Sequence, residues 1–199
     1  MPANVAHKQN MEWTWSDCQT WPEGECWELI GGEAFAMSPA PSTSHQGVAL
    51  RFAARLERAL AGKSCTPFVA PTDVKLSETD VVQPDILVVC DPRKITPACI
   101  DGAPDLVVEV LSPATATRDL REKKALYAKY GVKEYLIVDP LEHYAMRFVL
   151  EGSAYDAGAA FGGDEMLLLA TFEGIEIPLW EVFALPVPGS VPVAERPSR

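Results

Sequence analysis

Three residues carry the chemistry for which this sequence can be read: Asp85, Glu109 and Lys123. Glu109 interrupts the apolar run Leu106-Val107-Val108-Glu109-Val110-Leu111. A carboxylate there needs a partner, a metal or a proton, because burying a lone charge is costly. Asp85 stands at the mouth of the preceding apolar run, Ile86 to Cys90, so two neighbouring strands can bring the acids together. Lys123 follows Asp119 by four residues and precedes Tyr127 by four, which places all three on one helix face. Two convergent carboxylates suit a hard divalent cation, above all Mg²⁺ kept partly hydrated, and a nearby ammonium adds a point charge for a phosphate or an attacking water. The competing reading is a Glu109–Lys123 ion pair with Asp85 as a capping or turn residue. Spacing alone leaves both open.

The elements that must position these side chains centre on residues 105 to 139. The run holding Glu109 lies between Pro104 and Pro113 and reads as a strand buried on both faces. A helix follows over 117 to 131, with Thr117 as N-cap, Asp119 in the first turn, Leu120, Leu126 and Tyr127 on its apolar stripe, and Gly131 as its stop. Tyr135 to Val138 form a second strand closed by Asp139-Pro140. Strand, helix and strand at this length make a right-handed crossover between parallel strands, so the core is α/β.

Upstream, Trp27 to Ile30 and Ala34 to Met37 flank Gly31-Gly32 as a hairpin. After a loop over 38 to 44, a helix runs from about His45 to Leu60, with Val48, Leu50, Phe52, Ala53, Leu56 and Leu60 on its apolar side and Gly62 as its stop. Thr66 to Leu76 reads as a strand broken or bulged at Pro71, and Val81 to Cys90 as one strand entered through Pro84. Ala145 to Leu150 and Met166 to Ala170 are strands of a closing meander.

The organisation expected is an N-terminal tail over 1–20 leading into a short helix or loop around Trp13 to Trp21, a single domain over 21–184, and a proline-rich disordered tail over 185–199. A hydrophobic content of 48% in 199 residues is ordinary for one globular core. No apolar run approaches the roughly 18 residues that span a bilayer. The polar stretch Met1 to Met11 has no signal-peptide core, so a cytoplasmic protein without membrane contact is expected. The five cysteines show no Cys-x-x-Cys spacing and read as reduced, structural thiols. A net charge of −11 excludes a protein that coats nucleic acid non-specifically. The helix over 117 to 131 and the residues just after it are nevertheless locally positive, through Arg118, Arg121, Lys123, Lys124, Lys129 and Lys133. That face is either solvated and laced with i,i+4 pairs or turned toward nucleic acid.

Several ordered motifs carry a resemblance. Trp27-Glu28-Leu29-Ile30 through Gly32-Glu33, Met37-Ser38-Pro39, His45, Val82-Gln83-Pro84-Asp85, Pro104 to Pro113, Arg121-Glu122-Lys123, Tyr127 and Tyr135 to Pro140 together resemble the Uma-two family, within the PD-(D/E)XK restriction-endonuclease-like superfamily. The resemblance covers roughly 20 to 180 and implies an α/β restriction-endonuclease-like core, a central mixed sheet flanked by helices. It also implies a Mg²⁺-dependent endonuclease hydrolysing phosphodiester bonds, with Mn²⁺ as a substitute metal, nucleic acid as partner (DNA ahead of RNA) and a homodimer as an expected assembly. Carried over by position, Asp85 and Glu109 match the two acids and hold the metal. The lysine expected two residues after the second acid is absent, since Leu111 stands there, and Lys123 is the replacement from the following helix. Glu33 and His45 match positions near the start of the family's domain and are candidates to line the same pocket, beside Asp119 and Tyr127; the other reading of His45 is a helix N-terminal residue that only caps or packs. Two other readings stand against this: a catalytically inactive module on the same fold that binds nucleic acid or protein, and a structural protein whose acids are only ion-paired.

Overall fold

The structure is a computed structural model that describes residues 12–22, 27–37, 41–113 and 116–190. In chain order the elements are α1 (Trp15–Cys18), the hairpin β1 (Trp27–Ile30) and β2 (Glu33–Ala36), helix α2 (Thr43–Leu60), β3 (Thr66–Val69), β4 (Val74–Lys75), β5 (Val81–Val82), β6 (Ile86–Val89), β7 (Ile100–Asp101) and β8 (Leu106–Val110). A helical segment follows as α3 (Ala116–Arg118), a π-helical turn (Asp119–Lys123) and α4 (Lys124–Tyr130). Then come β9 (Glu134–Asp139), β10 (Tyr144–Glu151), β11 (Ala154–Tyr155), β12 (Ala159–Gly162), β13 (Met166–Leu168), β14 (Glu176–Pro178) and α5 (Leu179–Val182).

The larger sheet is mixed and runs β11-β10-β9-β8-β6-β3, with β12 also on β10. Its β8 and β9 are parallel and β6 and β8 antiparallel, so the crossover expected between residues 106 and 138 is present. A second sheet runs β2-β1-β5-β4-β7, and β13 and β14 pair separately. Side chains alternate across a strand. Leu106, Val108 and Val110 of β8 therefore join one core with Val48, Phe52, Leu56 and Leu60 of α2 and with Val182 of α5. Each large aliphatic or aromatic side chain buried there contributes roughly 1.5–3 kcal/mol. Val107 and Leu111 point to the other core, with Leu126, Tyr127, Tyr135 and Val82. Glu109 belongs by alternation to this second face, between the large sheet and the helical segment.

Local signals explain much of the layout. Gly31 and Gly32 have φ of 59° and 75°, which a two-residue hairpin turn requires and L side chains resist. Ser42 caps α2 by accepting from the His45 amide (3.2 Å). Gly131, at φ 82°, ends α4 in the left-handed region.

Other expectations change. Residues 81–90 are two strands in different sheets, because Gln83-Pro84-Asp85 turns the chain from one to the other. Thr117 lies inside α3 and does not cap it. Leu50 is 71% and Leu120 45% exposed. Leu50 is two residues from buried Val48 and so faces nearly opposite on the helix. Leu120 turns outward because Asp119 and Lys123 take the inner face of that turn. Cys65 and Cys90 form a disulfide where free thiols are expected. The β3–β6 register, Thr66↔Val89, brings these cysteines face to face, a juxtaposition no residue spacing reveals. Cys18 and Cys99 are free. Of the proposed tails, residues 1–11 and 191–199 lie outside the described residues; the short helix anticipated near Trp13 is α1. Among the described residues no helix is long and apolar enough to cross a membrane.

Candidate active site

Asp85 is the last residue before β6, and continuing the register Ile86↔Val108 sets it opposite Glu109 across the antiparallel pair. The Val110 amide donates to Asp85 Oδ2 (2.8 Å), fixing the carboxylate at the strand end. His45, in the first turn of α2, brings Nε2 to 3.2 Å from the same oxygen. Its Nδ1 is buried and has no hydrogen-bond partner among the described residues.

Glu109 Oε1 accepts from Lys123 Nζ (3.0 Å) and from the Tyr127 hydroxyl (2.8 Å). Lys123 reaches two further acids, Glu28 Oε1 at 2.8 Å and Asp119 Oδ1 at 3.7 Å. The π-helical turn makes this convergence. Such a turn carries one extra residue in the helix, and here the hydroxyl of buried Tyr135 donates to the Asp119 carbonyl within it (3.0 Å). Asp119 and Lys123 consequently both face inward, at 2% and 4% exposure. Glu28 comes from β1 and is tied to the turn between the sheets, since the Gln83 amide donates to its Oε1 (3.1 Å). These side chains border a cleft of about 540 Å³ at the junction of the two sheets.

Three carboxyl groups thus meet one buried ammonium, with Asp85 facing Glu109 across the strand pair. Burial pushes the Glu109 carboxyl up to about 8; Lys123 opposes this, while Asp119, Asp85 and Glu28 add to it. Near neutral pH Glu109 holds a proton much of the time, which trims the acid excess. Burial works to lower the Lys123 ammonium, but Glu109, Glu28 and Asp119 outweigh it and hold the group above its ordinary value, so it stays charged. The bond to Asp85 raises the His45 imidazole. Burial, with Glu109 beside it, keeps the Tyr127 hydroxyl protonated and donating.

The structure brings together Asp85, Glu109, Lys123, Asp119 and His45 at the cleft, with Tyr127 behind Glu109. Glu33 is not with them. It is exposed at the turn end of the hairpin, paired with Ile30, whereas the cleft lies toward the open end, where Glu28 pairs with Phe35. Glu28, which carries no role in the sequence reading, is the acid the hairpin supplies. Its signal was the one that marks Glu109, an acid inside an apolar strand, but in a hairpin the alternate face is usually wet and the signal is weak. Leu111 is 9% exposed and packs in the second core, so its position has been given to packing and the ammonium enters from the helix. The basic helix face is divided: Lys124 sits over the Phe148 ring, 3.4 Å from its centroid, outside the cleft that Arg118 borders. Among the described residues no group of three or more His, Cys, Asp or Glu side chains is set to hold a metal ion.

Comparison with known proteins agrees with this architecture. Residues 15–180 match the family model Uma2, described as "Putative restriction endonuclease". An "Uncharacterized protein slr1290" of Synechocystis sp. is 32% identical over 115 residues, which cover 56% of this chain. The chain spans 59% of the length of that curated relative. The crystal structure of "a putative nuclease belonging to DUF820" from Anabaena variabilis superposes with a TM-score of 0.71 at 17% identity, over 86% of this chain and 97% of that one. At that identity the likeness is one of fold.

Proposed function

The chain belongs to the Uma2 family, and from that premise we propose that it is a metal-dependent endonuclease hydrolysing phosphodiester bonds of nucleic acid, DNA in the first instance. The observation that carries the reading is the facing pair Asp85 and Glu109 on adjacent strands, with the Lys123 ammonium 3.0 Å from Glu109.

The donor set fits a partly hydrated Mg²⁺. That ion is commonly held by only one or two carboxylates and keeps several waters, so two facing acids suffice without a third protein ligand. The excess of buried acid, and the Glu109 carboxyl that burial and those neighbouring acids elevate, are what a divalent cation would relieve. Asp85 and Glu109 would hold it; bound there, Mg²⁺ supplies Lewis-acid polarisation of the phosphate and a water of lowered pKa.

The chain's own groups do the rest. Lys123 is a fixed positive charge, locked by three carboxylates beside the position where negative charge develops on the phosphate. Tyr127 and the Val110 amide orient Glu109 and Asp85 respectively. Both hydrogen bonds are in place before substrate arrives, so little reorganisation is required.

The test is cleavage of labelled DNA and RNA by the full chain with Mg²⁺, with Mn²⁺ and with chelator, alongside Asp85→Asn and Glu109→Gln. Metal-dependent cutting by wild type, lost in both variants, is the expected result. Binding without cleavage under every metal would make the chain a nucleic-acid-binding module, and equal cleavage by the variants would remove the two acids from the mechanism.

A further inference from the structure

We infer that Arg118 is the substrate-binding arginine of this cleft, its guanidinium holding a backbone phosphate of the nucleic acid while seated on the Phe35 ring. The inference rests on the nuclease reading above and names how that site takes its substrate.

Arg118 stands one residue before the π-helical turn and borders the cleft, with its side chain 28% exposed. Its guanidinium carbon lies 4.4 Å from the centroid of Phe35, on β2 of the hairpin that also carries Glu28. A guanidinium over an aromatic face is held by the ring while the N–H donors at its edge stay available. Those donors are not consumed. The nearest carboxylate oxygens are Glu28 Oε2 at 4.0 Å and Glu122 Oε2 at 3.9 Å. Both lie beyond the 2.7–3.2 Å of a hydrogen bond. Arg93, by contrast, reaches Asp91 at 2.7 Å. The other Glu28 oxygen, Oε1, accepts from Lys123 and the Gln83 amide. Among the described residues the Arg118 guanidinium closes no hydrogen bond.

A seated fork held only by ion pairs near 4 Å, at the rim of an acidic cleft, matches one kind of ligand. A phosphate approaching Glu28, Asp85, Glu109 and Asp119 is repelled unless a cation meets it first. Lys123 is enclosed by three of those acids, and Lys124 is turned to Phe148. Arg118 presents the planar donor pair that phosphate oxygens accept bidentately.

The test uses the full chain and a fluorescein-labelled oligodeoxynucleotide, read by anisotropy over a salt series and by steady-state cleavage in Mg²⁺. Arg118→Ala should weaken binding and raise KM by about 10- to 100-fold with kcat little changed, as for a contact made equally to bound substrate and transition state. The slope of log affinity against log salt should shrink by about 0.7–0.9, the loss of one phosphate contact. Arg118→Lys should keep the slope but lose much of the affinity, and Phe35→Leu should raise KM while leaving the slope intact. Circular dichroism identifies any variant that fails to fold, and the lysine variant keeps the inference exposed if the alanine one does. An unchanged slope and KM in Arg118→Ala, with wild type binding and cutting normally, would overturn this inference alone. A wild type that neither binds nor cuts would overturn it together with the nuclease reading.

Discussion

Replacing Lys123 with methionine removes the charge while keeping most of the stem's volume, and it leaves Glu28, Glu109 and Asp119 facing one another in the interior. At an effective dielectric of about 20, an ammonium–carboxylate contact near 3 Å is worth roughly 5 kcal/mol gross. Lys123 makes two such contacts, at 2.8 and 3.0 Å, and a third at 3.7 Å. Desolvation offsets most of that, and breaking a buried pair by removing one partner costs about 3–5 kcal/mol net. The lower end applies where Glu109 remains protonated, below its value of about 8. The cost should therefore be about 3 kcal/mol near pH 6 and grow toward 5 kcal/mol near pH 9. For a chain of this size, that range corresponds to a melting temperature lower by roughly 6–20 °C. Urea unfolding followed by circular dichroism at both pH values measures it. Cleavage by the folded variant should also fall about 10²- to 10³-fold, the usual loss for one charge-stabilising donor. If Lys123→Met unfolds within about 0.5 kcal/mol of wild type at the higher pH, the ammonium does not compensate the acids and the mechanism loses its fixed charge.

Three further outcomes follow from the same geometry. Calorimetric titration with Mn²⁺ should show binding that releases protons and tightens from pH 7 to 9, because Glu109 must give up its proton to coordinate; Asp85→Ala should abolish the heat, and equal heats would refute the site. Burial would raise the Asp80 carboxyl, but the Gly31 amide, Tyr130 and Lys129 outweigh it and hold the group below its ordinary value. Asp80 thus contributes stability that is present above about pH 3.8 and lost as pH falls through its folded value; Asp80→Asn should cost about 1–3 kcal/mol at pH 7 and flatten the acid limb of a melting-temperature profile, and an unchanged limb would count against it. Glu33→Ala should cleave within about twofold of wild type, since that acid is exposed away from the cleft; a drop of tenfold would return it to the site.

The acid in the strand, the hairpin glycines and the helix-ending Gly131 were legible because each is a local conflict or a local requirement. Glu109 has no comfortable place in an apolar strand, and Gly31 and Gly131 satisfy backbone angles other residues avoid. The rest depends on partners far along the chain. The π-helical turn has no spacing of its own; the Tyr135 hydroxyl, from the next strand, accompanies it. The break of 81–90 into two sheets follows from what docks on either side of Gln83-Pro84-Asp85. Glu28 is recognisable as a buried acid only once Lys123 is known to reach it. Leu111 was open between a lysine's substitute and a core residue, and its packing shows that a lysine there would disrupt the second core.

The placement of Lys123 also bears on the order in which the chain assembles. Glu28 and Glu109 are both synthesised before Lys123, the ammonium that pairs with them. A growing chain emerges N-terminal end first. Until the segment carrying Lys123 has coiled against the sheet, the hairpin that bears Glu28 has its pairing with β5 and the Gln83 amide to hold it, but not the ammonium. Drawing Glu28 to Lys123 also closes one of the long loops in the molecule, whose entropy must be met by contacts formed earlier. A chain halted before Lys123 has the acids of the site without the charge that pairs with Glu28 and Glu109.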